Sequence, residues 1–314
     1  MSQRQFQELP KIRDSISFLY FQYGHLEQSK LGVEFSNLQG RALLPAANLS
    51  ALLLGPGTTV THAAVKALTE SGCSIIWCGE EGVRCYAQGI GETHKSYRLM
   101  HQAALSSDPD KRLMVIEKMY RARFPEVLPP NLSLEQIRGK EGIRVREAYA
   151  TAAKQYGITW EGRNYDRRDW KNSDAPNRAL SAANACLHGL VHAAILSAGY
   201  APALGFIHQG KQLSFVYDVA DLYKANLTVP VAFAAVAESP AKLESEVRRR
   251  CRNAFVNCKL LSRIVKDIDK TLAISPKNAQ EPDGFDPDAD PALPTPWWDD
   301  PVPETRPEYN LFKE

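Results

Sequence analysis

The chain has 314 residues, 44% hydrophobic and 24% charged, enough to bury one large core or two modest ones, with length favouring two domains. Its first eleven residues lack the apolar run of a secretory signal, and the most apolar stretch, 185–206, is broken by His188, His192, Pro202 and glycines, which suits a buried helix in a cytoplasmic protein better than a membrane span. Six cysteines (Cys73, Cys78, Cys85, Cys186, Cys251, Cys258) form no CxxC pair, which argues against zinc ribbons and dithiol redox chemistry and for reduced thiols.

Formal net charge is only +2, but its distribution is uneven. From Lys277 onward three basic residues face ten acidic ones, a net of −7, which leaves +9 on residues 1–276. A basic body with an acidic tail suits a polyanionic partner; ordinary solvated surface charge accounts for the same numbers.

In chain order, residues 12–90 read as a small β-rich domain. Ser15 to Tyr23, Ala42 to Leu54, Cys73 to Cys78 and Val83 to Gln88 are β-branched or aromatic runs separated by turn signals such as Gly55-Pro56-Gly57. Between them Thr61 to Ser71 predicts a helix with Ala64, Val65 and Leu68 on one face. Helical periodicity then takes over. Asp108 to Phe124 carries a stripe of Leu113, Ile116, Tyr120 and Phe124. Ser133-Leu134-Glu135-Gln136 is a capping box that opens a long helix ending at Gly157, and an alanine-rich, apolar helix from Ser173 or Asp174 to Gly199 is expected at the centre of the core. Phe206 to His208 and Leu213 to Tyr217, joined by Gln209-Gly210-Lys211-Gln212, read as a β-hairpin leading into a helix at Asp218. Arg248 to Leu272 is helical, and eight prolines between 282 and 307 predict an extended, disordered tail over 275–314.

Glu141 is the anomaly. It lies four residues after Ile137 and four before Val145, on a helix whose apolar stripe is Leu134, Ile137, Val145, Ala148, Ala152 and Tyr156, so it points where a core is expected. An ionised carboxylate there is costly unless a cation or hydrogen bonds compensate; an ion pair with Arg138 or Arg144 and a metal ion meet that need about equally. His208 and the pair Asp218 and Asp221, spaced i, i+3 at the start of the next helix, supply further donors. Helix capping explains either aspartate alone. The combination with Glu141 is an oxygen and nitrogen ligand set suited to Mg²⁺ or Mn²⁺.

Asn177, Ser181, Asn184, His188 and His192 form a polar line on one face of the central helix, either lining the same pocket or forming an internal hydrogen-bonded seam; His188 and His192 lack the intervening Glu of a zinc HExxH motif. Basic and aromatic residues interleave in three groups: Tyr165, Arg167, Arg168, Trp170 and Lys171; Lys211, Tyr217 and Lys224; Arg248, Arg249, Arg250 and Arg252. Such groups neutralise phosphates and stack on bases, although each alone would be an ordinary solvated face.

Gln22-Tyr23-Gly24, Gly82-Val83-Arg84, Arg138-Gly139, Glu141-Gly142, Lys154-Gln155-Tyr156-Gly157, Tyr165 to Trp170, Ala198 to Pro202 and Leu213 through Asp221 together resemble, in order over about residues 12–273, the type I-E form of CRISPR-associated protein one. The resemblance implies an α+β protein: a β-rich dimerisation domain (1–90), a mostly α-helical catalytic domain (91–274) and the tail (275–314). It implies a divalent ion, Mg²⁺ or Mn²⁺, held by Glu141, His208 and Asp221 with Asp218 beside them. It also implies a DNA surface in which Tyr23 wedges at a fork, Arg84 contacts DNA, and Arg138, Tyr165, Trp170, Lys211 and Tyr217 surround a single-stranded end; Lys224, Arg248 and Arg252 extend it. The partners implied are a second copy of the chain and CRISPR-associated protein two, whose dimer bridges two dimers in a heterohexamer. His188 departs from the pattern, since relatives can carry Tyr there, and the tail with Trp297 and Trp298 has no counterpart.

The expected reaction is insertion of prespacer DNA into a CRISPR array by 3′-hydroxyl transesterification, or endonuclease cleavage when water is the nucleophile. The rivals are a branched-DNA nuclease in repair and a non-catalytic DNA clamp.

Overall fold

The computed structural model describes residues 18–30, 32–46, 49, 51–80, 84–90, 96–123, 129, 132–163, 173–238 and 241–274. The expected tail and the first basic group from Tyr165 to Lys171, with Trp170, lie outside them.

Strands come first, in two sheets. One has the order β1 (Phe18–Phe21), β5 (Ala51–Leu54), β7 (Ser74–Cys78), β8 (Cys85–Gly89), parallel except for the last pair. The other has the order β4 (Gly40–Leu44), β3 (Gly32–Asn37), β2 (Gly24–Ser29), β6 (Thr58–Val60). Helix α1 (His62–Glu70) is capped by Thr61 and buries Ala64 and Leu68, as its pattern predicts.

Strand β5 shows why its sequence is apolar without alternation. Leu52 and Leu54 join Leu26, Val33, Phe35 and Leu68 in a core between the sheets. Ala51 and Leu53 face the other way, onto Ala193 and Leu196 of the central helix. A strand covered on both faces has no polar positions to alternate. The run expected as one strand over 42–54 is instead β4 and β5, in different sheets. Strands β2 and β3 escape the reading because only Leu26, Val33 and Phe35 are buried, while His25, Glu27 and Glu34 keep the other face polar.

The helical part comprises α2 (Tyr97–Ser107), α3 (Pro109–Arg123), α4 (Leu134–Tyr156), α5 (Ala175–Ser197), α6 (Ser214–Tyr223), α7 (Val229–Ala237), α8 (Leu243–Asn257) and α9 (Leu260–Thr271). Helix α4 has the predicted reciprocal cap between Ser133 and Gln136 and ends at Gly157 with φ 65°. Helix α5, capped by Asp174, occupies the middle and contributes residues such as Leu187, Val191 and Ile195, all fully buried, to the main core. The span from Arg248 to Leu272 is helical as expected, in two helices separated at Lys259, where φ is +48°.

The hairpin expected at 206–217 is absent. Phe206 to Leu213 form successive turns, and Leu213 to Tyr217, expected as a strand, run into α6. The run Ser214-Phe215-Val216-Tyr217 has β-propensity, but the fully buried side chains of Phe215, Val216, Val219 and Ala220 recur with helical spacing, and burial against a helical core overrides local preference. Asp218 therefore lies in the second turn of α6 rather than the first.

A π-helical turn, Lys224–Thr228, joins α6 to α7. Pro230 has no N–H for the Asn226 carbonyl, and the ladder widens here so that the Val229 N–H reaches Lys224 O. Both α5 and the continuous 214–237 segment are long and apolar enough to cross a membrane. Their apolar faces instead form the core of this fold.

Candidate metal centre and nucleic-acid face

The segment between α5 and α6 contains Gly199, Pro202, Gly205 and Gly210, which favour neither helix nor strand. Its buried amides and carbonyls need partners from elsewhere, and other elements supply them. Gln102 of α2, fully buried, donates to Ala201 O (3.0 Å) and Leu204 O (2.8 Å) and accepts from Ala201 N (2.8 Å). Arg112 of α3 donates to Phe206 O (2.7 Å), and Arg138 of α4 to Ile207 O (2.9 Å). Asp218, fully buried, accepts from the backbone N–H groups of Phe206 (2.6 Å), Ile207 (3.0 Å) and His208 (2.9 Å). At Gly205 a Cβ would lie 2.2 Å from the His208 carbonyl oxygen, so the turn closes only without a side chain.

This clamp presents one imidazole. His208 Nδ1 lies 2.7 Å from Asp218 Oδ1, which also accepts from the His208 backbone N–H; Nδ1 therefore donates to Asp218 and Nε2 is the ring nitrogen left out of that bond. The bond to Asp218 raises the His208 pKa against the opposing effect of burial.

Glu141 extends from α4 with its side chain 17% exposed and pairs with Arg123 of α3, itself 6% exposed. Asp221, one turn beyond Asp218, lies 3.8 Å from the same Arg123 nitrogen and 2.6 Å from Lys224 Nζ. Burial pushes the Asp221 pKa up, but Lys224 and Arg123 outweigh it and hold the carboxyl below its ordinary value. Two carboxylates from separate helices thus meet on one guanidinium. Among the described residues no three His, Cys, Asp or Glu side chains already stand as a metal cage. The donor chemistry nonetheless fits a hard divalent ion: two carboxylate side chains and an imidazole whose ring is oriented by Asp218.

The polar line on α5 divides. Arg163 donates to Asn177 Oδ1 (2.8 Å) and Ser181 Oγ (2.7 Å), and Thr228 donates to Asn184 Oδ1 (3.3 Å), so that part is a hydrogen-bonded seam. His188 lies toward the site, its ring 5.1 Å from that of Tyr217, which in turn lies 5.8 Å from the His208 ring. Its buried Nε2 has no hydrogen-bond partner among the described residues. Burial, with Lys224 adding, pushes the His188 pKa down to about 4 from 6.5.

The sign for stability follows. The unfolded chain protonates this histidine near 6.5 and the folded chain only near 4, so acidification through that window destabilises the fold, by at most about 1.4 kcal/mol per pH unit. His192, lowered by burial, acts in the same direction. His208 acts oppositely, its contribution being present at low pH and lost as pH rises through its raised value. His188→Phe is expected to flatten the fall of Tm between about pH 6.5 and 4, measured by thermal unfolding; an unchanged slope would refute the assignment.

Of the expected DNA residues, Tyr23 is 64% exposed with φ 53°, its ring against Gly57, where a Cβ would come within 2.6 Å. Arg84, also at positive φ, and Lys211 are exposed. Lys211 lies on the segment that carries His208 and Tyr217 in the first turn of α6, whereas Lys224 is engaged by Asp221. On α8, Arg249 and Arg250 form ion pairs with Glu246, and Arg250 also with Glu238; Arg248 and Arg252 stand one turn apart on the same helix. Arg112, Gln102 and Arg123 were not anticipated. Arg121 and Arg123 are the basic residues in the last turn of α3, favourable to any helix C-terminus and so no signal of a site.

The family model described as "CRISPR associated protein Cas1" matches residues 124–269, the span that contains Glu141, His208, Asp218 and Asp221. CRISPR-associated endonuclease Cas1 2 of Thermus thermophilus is 50% identical over 267 residues, covering 85% of this chain and 82% of the relative. The chain belongs to the Cas1 family. The Cas1 endonuclease of Escherichia coli is 44% identical over 263 residues, covering 83% of this chain and 86% of that one. Among solved structures, TtCas1 in complex with DNA superposes with a TM-score of 0.78 at 49% identity, covering 85% of this chain and all of that one. The strand-rich start and helical remainder are therefore the Cas1 fold, and the family is one of CRISPR-associated endonucleases.

Proposed function

We propose that this Cas1-family chain is a divalent-metal-dependent DNA integrase and endonuclease of CRISPR adaptation, acting in the cytoplasm. The observation that carries the reading is the meeting of Glu141 and Asp221, from different helices, on a single cationic group, beside a histidine whose orientation and tautomer are set by buried Asp218. Glu141, Asp221 and His208 Nε2 would hold Mg²⁺ or Mn²⁺, which when bound polarises a phosphate and stabilises a departing oxyanion.

The chain's own groups do the rest. Asp218 keeps the His208 proton on Nδ1, with Arg112 and Arg138 fixing the two backbone carbonyls that precede it. Lys211, on the segment that carries the histidine, and Tyr217, on α6 with its ring 5.8 Å from that of His208, would lie along a strand end. In strand transfer the 3′-hydroxyl oxygen bonds to phosphorus as the target's phosphodiester P–O bond breaks. One diester replaces another, so no energy-supplying cofactor is required.

Residues 1–90 are proposed as the dimerisation domain, 91–274 as the catalytic domain and 275–314 as a flexible tail. In support, β4 is a sheet edge with Leu43 53% exposed, the kind of strand a second copy can cover. CRISPR-associated protein two is the proposed bridging partner for two such dimers, and the DNA substrates are a prespacer with single-stranded ends and the leader-repeat.

The test is half-site integration into a repeat-bearing plasmid, with and without the bridging partner and divalent ion. Joined products that need both are expected. Hydrolysed branched DNA without the partner would favour a repair nuclease, and DNA binding with no product at any ion concentration would leave a clamp.

A further inference from the structure

Arg123 is the unexplained group at the site. Its side chain is 6% exposed, and one guanidinium nitrogen is shared between Glu141 and Asp221. Lys224 adds a second positive charge on the far oxygen of Asp221. Two carboxylates confronting each other in a poorly solvated site repel strongly unless a cation lies between them. In this arrangement the chain provides that cation itself.

Room to leave lies next to it. A cavity of about 570 Å³ between the end of α3, the middle of α4 and the π-helical turn is lined by Arg123 with Glu147, Thr151 and Asn226, and also by Arg121 and Arg144. A guanidinium turned away from Glu141 and Asp221 would find there a carboxylate, a hydroxyl and an amide to accept its hydrogen bonds. The side chain thus has a second set of acceptors in the cavity it lines, where Glu147 is shared among Arg121, Arg123 and Arg144, at the end of one long, flexible stem.

The geometry points to Arg123 as a resident counter-cation that keeps the site charge-balanced and folded without metal, and that a divalent ion must displace in order to bind. This inference rests on the metal reading above. It makes ion affinity a difference between two cations rather than the full strength of the ligand set, because the ion must compete with a group already in place.

The test is Mn²⁺ binding, measured by calorimetry on the full chain, for wild type, Arg123→Gln and Glu141→Gln. Arg123→Gln is expected to bind Mn²⁺ at least about tenfold more tightly, to melt below wild type without ion, and to recover most of that loss at saturating Mn²⁺. Equal or weaker binding in Arg123→Gln, with wild type binding normally, would overturn the counter-cation role and leave the metal site intact. No Mn²⁺ binding by wild type or Arg123→Gln would remove the metal reading itself. Glu141→Gln should bind far more weakly than wild type. If Arg123→Gln does not fold, Arg123→Lys takes its place. Its single ammonium cannot serve both carboxylates as the fork does, so binding about threefold tighter than wild type is expected, and no gain would overturn the proposal.

Discussion

Glu141→Ala is expected to lower strand transfer and cleavage on the order of a thousandfold, the scale of losing a principal charge-stabilising group at a reacting centre, while duplex binding changes by less than about twofold. The separation follows from position. Glu141 is a part-buried anion paired with Arg123, so it has no attraction for phosphates to lose. Exposed residues such as Lys211 and Arg84 lie elsewhere and are untouched. Gel-shift titration and plasmid integration on the same preparation, with Mg²⁺ and with Mn²⁺, measure both quantities. Full strand transfer by Glu141→Ala would reduce Glu141 and Arg123 to an ordinary structural ion pair.

The second large effect is on folding. Asp218→Ala removes a fully buried acceptor for three backbone amides and the His208 ring, and leaving buried donors without partners should cost about 3–5 kcal/mol in urea unfolding. Asp218→Asn should rescue little, because one oxygen becomes an amide donor facing other donors. The loop would loosen, His208 Nε2 would lose its fixed orientation, and Mn²⁺ affinity should fall with stability. An Asn variant matching wild type in both would show that the carboxylate charge and second oxygen are dispensable.

Asp218 and Asp221 are only three residues apart yet have different work. Asp218 is consumed by its own backbone and by His208, while Asp221 faces cations. Reading both as candidate donors was reasonable from spacing, because i, i+3 places them on one side of a helix. Which of them meets amide groups depends on where the preceding loop folds back, and that loop was expected to be a hairpin. The hairpin expectation failed at Leu213 to Tyr217 for the reason that short apolar runs fit either strand or helix until their neighbours are known.

What the sequence determined by itself was whatever depends on local chemistry. The Ser133 capping box and Gly157 set both ends of α4, the Asp174 cap and apolar composition set α5, and the Thr61 cap set α1. It also marked Glu141 as a carboxylate needing a cation or hydrogen bonds, since periodicity alone places it one turn from Ile137 on a packed helix. Tertiary structure decided which cation answers it. Arg123 lies 18 residues away on another helix, and nothing at helical spacing from Glu141 distinguishes it from Arg138 or Arg144. Arg138 in fact holds a loop carbonyl 69 residues distant. Charge pairing and backbone satisfaction act through space, so their partners are settled only when helices far apart in the chain are packed together.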